Sequence, residues 1–159
     1  MELATWENCR ADFAFDGALV DLLVPGTGPA EWQIIWAALR AGPFELQAFR
    51  DGEPIPLPES AAWALAERDV ASVMVSVVAG PINANCHFFG GDLELDIDAR
   101  QVVTESAFES VLAIMRFIAL AVRLPVSAVA EGSSPKYAFL RVSPVGRAEY
   151  LPAGSIRLA

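Results

Sequence analysis

Leu93-Glu94-Leu95-Asp96-Ile97-Asp98 alternates apolar and acidic residues without a break. Successive side chains of a β-strand point to opposite faces. The stretch therefore predicts a strand with Leu93, Leu95 and Ile97 on one side and Glu94, Asp96 and Asp98 on the other. The apolar side requires a core. The acidic side requires water or a positive partner, because like charges along one strand face repel. A strand buried on one face only is characteristic of an antiparallel sheet with one solvated side.

The flanking segments extend this pattern in both directions. Cys86-His87-Phe88-Phe89 is expected as a strand and Gly90-Gly91-Asp92 as the turn that follows it. Ser72–Val78 is rich in β-branched residues and predicts a strand, with Pro81–Asn85 as a loop or bulged continuation. Arg10–Val24 reads as a hairpin, with Asp16-Gly17 as its two-residue turn. Phe44–Arg50 alternates, Asp51-Gly52 is a second turn signal, and Pro54-Ile55-Pro56-Leu57-Pro58 returns as an edge strand or extended loop, since proline has no N–H for a ladder. Pro125–Glu131 and Tyr137–Val142 suggest two more strands around a mobile Gly132-Ser133-Ser134-Pro135 loop, and the tail from Pro144, which has no clear period, is expected to be frayed or irregularly packed.

Three helices fall between these strands. In Glu31–Ala41, Trp32, Ile35, Trp36 and Leu39 recur at spacings of three and four and make one apolar face, ended by Gly42-Pro43. A short helix opens at Pro58-Glu59-Ser60 and runs to about Asp69. A long one is capped by Thr104 or Ser106 and is apolar almost all round through Val122, so neighbours are expected on most of its sides. Hairpins interspersed with helices predict an α+β fold: an antiparallel sheet with about three helices packed on one side, in a single domain over residues 1–159.

Composition narrows the function. Of 159 residues, 54% are hydrophobic, enough for a full core, and the net charge is −9. Residues 1–100 carry 16 acidic and 5 basic side chains, whereas residues 101–159 carry 4 and 6. An acidic body excludes nucleic acid and anionic membranes as expected partners and favours a basic one. Val111–Leu124 is too short to span a bilayer and is interrupted by Arg116 and Arg123. The N-terminus lacks the basic and apolar regions of a signal peptide, and Cys9 and Cys86 form no disulfide framework; a reduced, cytoplasmic setting is expected.

Few residues suggest chemistry. His87 is the sole histidine, and its neighbour Cys86 would point to the opposite strand face, so the two make a poor catalytic pair. No nucleophile-elbow, P-loop or dinucleotide fingerprint occurs. Glu94, Asp96 and Asp98 form a line of oxygens rather than a cage, so no metal and no cofactor is expected.

Three stretches resemble bacterial immunity proteins, which are encoded beside polymorphic toxins. They are Phe49-x-Asp51-Gly52 with Leu57-Pro58, Cys86-His87-Phe88-Phe89 with Leu93–Asp98, and Val102–Leu124 followed by Pro125-Val126 and Glu131. The resemblance implies a non-enzymatic, cytosolic inhibitor that binds one cognate toxin. The acidic strand then becomes the expected docking face, with Glu94, Asp96 and Asp98 at its centre and Asp92 and Glu45 beside them. Two other expectations compete with it. One is a small enzyme using His87 with a carboxylate such as Asp96 or Glu94. The other is an adaptor that dimerises through an open strand edge or through a Trp32/Trp36 face.

Overall fold

The computed structural model describes residues 2–152. In chain order the strands are β1 Glu2–Leu3, β2 Val20–Val24, β3 Glu45–Arg50, β4 Glu53–Ile55, β5 Val73–Ala79, β6 Ile82–His87, β7 Leu93–Ile97, β8 Val126–Ala130, β9 Leu140–Val142 and β10 Ala148–Tyr150. The helices are α1 Trp6–Cys9, α2 Pro29–Ala41, α3 Ala61–Ala66 and α4 Glu105–Val122. All ten strands join one open sheet in the order β1-β10-β9-β8-β2-β7-β6-β5-β3-β4, and every neighbouring pair is antiparallel. The fold is α+β, as the alternating stretch predicts.

β7 lies near the centre, between β2 and β6. Leu93, Leu95 and Ile97 are all but inaccessible, and each contributes to a core shared with Val20, Leu22 and Val24 of β2 and Val73, Val75 and Val77 of β5. All four helices close over this one face. Trp32, Ile35, Trp36 and Leu39 of α2 and Phe108, Val111, Leu112, Met115 and Ile118 of α4 fill the same core. Gly42 ends α2 where a Cβ would lie 2.5 Å from the Phe117 ring, so the close approach of the two helices requires glycine there. α4 has neighbours on most of its sides, with Phe117 against Phe44 and Arg116 Nε donating to the Gly146 carbonyl, and only a narrow stripe including Glu109, Ala113 and Leu120 remains exposed.

Four local expectations give way. Asp12–Phe15 forms no strand; α1 runs into a 3-10 turn over Arg10–Phe13, which sends Phe13 into the core against Phe108 and Phe139. β2 therefore has no hairpin partner before it and inserts between β7 and β8 instead. Residues 82–85 are not a loop, since β5 and β6 pair continuously from Ala79↔Ile82 to Met74↔His87. The segment after Pro144 continues as β10, which pairs with β9 and receives β1; the remainder of that tail, residues 153–159, lies outside the described residues. At the other edge, β4 follows the Asp51-Gly52 turn as an edge strand, and Pro54 and Pro56 offer no N–H to an added strand.

Among the described residues no helix is long and apolar enough to cross a membrane.

Candidate functional site

The face of the sheet away from the helices carries the polar partners of the alternation. Register aligns Gln47, Ser76, Asn85, Asp96 and Asp21 in one row across β3, β5, β6, β7 and β2. The row is hydrogen-bonded. The Ser76 hydroxyl donates to Asn85 Oδ1 at 2.7 Å, and Asn85 Nδ2 donates to Asp96 Oδ1 at 3.1 Å. His87, also on β6, places Nε2 2.5 Å from Asp96 Oδ2. Asp96 is thus held from two sides by residues of the neighbouring strand, an arrangement in which each bond polarises the next. Phe89 stacks on the imidazole with centroids 5.0 Å apart and planes inclined by 9°, and is itself 65% exposed.

Asp21 is the unexpected member. It sits opposite Asp96 and is only 4% exposed, because the segment after β8 folds back over it. Gly132 N–H donates to Asp21 Oδ2 at 2.8 Å, and Glu131 Oε2 accepts from Leu19 N–H at 2.9 Å. The Gly132–Pro135 loop expected to be mobile is anchored at its start by the first of these bonds. Val129, Ala138 and Leu151 pack under this segment against Leu23, covering the β8 end of the face and leaving the β7-to-β3 part open.

Electrostatics follow from that burial. Desolvation raises the Asp21 carboxyl above its ordinary value, and the nearby Glu131 and Asp96 charges add to the rise. Desolvation, the Asp21 charge and a shared hydrogen bond with Asp21 raise Glu94 in turn. The Asp96 hydrogen bond raises His87 above its ordinary 6.5; partial burial opposes it, while the charges of Asp96, Glu94 and Asp21 add to it. The centre of the open face is therefore a knot of three carboxyl groups around one imidazole, whose charged form they favour.

The five acidic residues expected to form one docking face separate into two groups. Glu94, Asp96 and Glu45 stand on the open face. Glu94 and Glu45 are exposed and Asp96 is half-buried by its partners. Asp98 and Asp92 are occupied at the two ends of β7. The strand stops at Ile97, and Asp98 turns to cap the next 3-10 turn and to bind the Arg100 guanidinium at 2.7 Å, which holds its carboxyl below the ordinary value. Asp92 Oδ1 accepts from Gly26 and Thr27 N–H at 2.9 and 3.1 Å, tying the loop before α2 to the β6–β7 turn.

The competing expectations meet specific geometry. Cys86 does face away from His87, buried in the core, and its thiol is pushed up to about 12 by desolvation, which leaves it protonated and unreactive. The Ser76 hydroxyl is committed to Asn85 rather than to His87, so the Ser–His–Asp residues present are not wired as a nucleophile and its base. Trp32 and Trp36 are 2% exposed, packed on Phe88, with their indole N–H groups bonded to the carbonyls of Gly91 and Pro58; they present no docking face. No group of three or more His, Cys, Asp or Glu side chains among the described residues is arranged to hold a metal ion.

Sequence reading alone missed Asp21, Ser76 and Asn85. The one signal for Asp21 was a single acid inside the otherwise apolar Ala18–Val24 segment. Compared with known proteins, the chain matches no family model, no curated protein and no solved structure.

Proposed function

We propose that the chain is a toxin-neutralising immunity protein of the bacterial cytoplasm, which binds a basic cognate toxin on the open sheet face around Glu94, Asp96 and Glu45 and performs no chemistry of its own. One observation carries this reading. Between β3 and β2 the charged strand positions on the open face are Glu45, Glu94, Asp96, Asp21 and His87, with no Lys or Arg among them. Such a surface attracts positive charge, steers a basic partner during encounter and discourages acidic ones. It is also presented on β-strands, a rigid support that orders little on binding. Against catalysis stand the engagement of His87 by the Asp96 carboxylate and the absence of an activated nucleophile beside it, since the Ser76 hydroxyl is given to Asn85 and Cys86 faces the core.

The test is co-expression in a bacterial host with the C-terminal domain of a large reading frame adjacent to this gene. Rescue of growth, with a stoichiometric complex that weakens as salt rises, is the expected outcome. His87→Ala retains rescue under this reading. A domain that stays toxic and forms no complex contradicts it.

A further inference from the structure

We propose that His87 is a proton-operated cover on the acidic centre of the open face: charged, it offsets Asp96 and its neighbours; neutral, it leaves them to a basic partner. The inference deepens the docking reading by naming how that face is regulated, and its first experimental arm stands without a partner.

The geometry isolates the imidazole among carboxylates. From β7, Asp96 meets Nε2 directly and Glu94 acts on the ring through its charge; from β2, Asp21 adds a third carboxyl opposite Asp96. Glu131, after β8, lies close enough to Asp21 to raise it. On the other side β5 presents Met74, directly opposite His87, and Ser76, both uncharged. β3 adds Phe49 and Gln47 in the same rows and Glu45 one step further. Phe89 covers the ring. No Lys or Arg reaches this group from a strand position between β3 and β2, so the imidazolium is the only internal counter-charge there.

Proton loss is simple to place. The neutral ring keeps its Nε2–H on Asp96 Oδ2, and the departing proton leaves Nδ1 for solvent. The hydrogen bond survives and the charge does not. The Glu94 carboxyl lies close enough to Asp21 to feel its charge, and ionisation of the two adds negative charge in the same direction. A basic side chain approaching Asp96 meets an opposing positive charge when His87 is protonated and a carboxylate still hydrogen-bonded but no longer offset in charge when it is neutral, so partner binding releases a proton.

Because His87 is the sole histidine, the imidazole Hε1 resonance of the full chain reports it alone in a proton NMR titration. A midpoint above 6.5 in the wild type, lowered by Asp96→Asn, is expected; a wild-type midpoint at or below 6.5 overturns the cover. Should Asp96→Asn fail to fold, Glu94→Gln gives a smaller drop of the same sign, and no drop in either variant counts equally against it. The second arm measures anisotropy of a labelled deca-arginine peptide one pH unit below and one above that midpoint. Several-fold tighter binding at the higher pH, reduced in His87→Gln, supports the cover, and an equal gain in His87→Gln overturns it. A raised midpoint with no peptide binding at either pH leaves the cover intact and sinks the docking reading.

Discussion

The two faces of β7 obey different rules. On the helix side, Leu93, Leu95 and Ile97 are fixed by burial, and any strand with that alternation would place them inward. On the open side, Glu94 and Asp96 are placed by the same alternation, but their state is set by other strands: Asp21 from β2, Asn85 and His87 from β6, Gly132 from the segment after β8. One face is decided by a pattern within six residues. The other is decided by which strands become neighbours. The lesson is that burial is legible locally, whereas charge is a property of the assembled sheet.

The largest test of that contrast is Leu95→Ala. Leu95 is fully buried at the sheet centre, so the truncation should cost about 2–5 kcal/mol of stability, seen as a lower urea midpoint with an unchanged slope. A loss below about 1 kcal/mol would break the distinction between the faces. Next comes Asp92→Ala, which strands the Gly26 and Thr27 N–H groups; a loss of about 1–3 kcal/mol is expected, without any effect on partner affinity beyond that of reduced folding.

The pH dependence sharpens the open-face half. The folded-state value of His87 lies above 6.5, so its stabilising contribution is complete below pH 6.5 and is lost as pH rises through the folded value. Asp21 and Glu94 are also raised and act with the same sign, from lower pH upward. The urea midpoint should therefore fall between pH 6 and pH 8.5, and His87→Gln should flatten the upper part of that fall. A midpoint that climbs over the same range would contradict the assigned network. The smallest stability effect belongs to Glu45→Lys, an exposed position at the margin of the face: within about 0.5 kcal/mol by thermal melting, yet with weaker toxin binding.

Much of the sheet was legible because its signals are short-range. The Asp51-Gly52 turn, with both residues at positive φ, and the Ser72–Val78 β-branched run each specify their own strand. Thr104 at the start of α4 likewise names its helix, by accepting from Ala107 N–H. The Arg10–Val24 hairpin failed because Asp16-Gly17 suits a turn in many contexts, and the long-range pairing of β2 with β7 and β8 left no room for a local partner. β10 was missed because three residues carry too little alternation to read, and only pairing with β9 makes them a strand. At the site, the sequence offers Asp96 or Glu94 as the carboxylate partner of His87, and it is Asp96 that bonds to the ring. The two acids at the ends of β7 read as part of the same acidic face, yet Asp98 is taken by Arg100 and Asp92 by backbone N–H groups, neither of which an alternation can reveal.

The most direct test of the open face as docking surface is a paired charge reversal against the adjacent-gene toxin domain. Glu94→Lys with Glu45→Lys changes the open face, while Glu109→Lys changes an exposed position on α4 by the same chemistry. Affinities are measured by calorimetry at one salt concentration, with folding of each variant verified by melting. The docking face predicts at least a tenfold loss for the open-face pair and little change for Glu109→Lys. Equal affinities for wild type and the open-face pair, or a loss confined to Glu109→Lys, would contradict it.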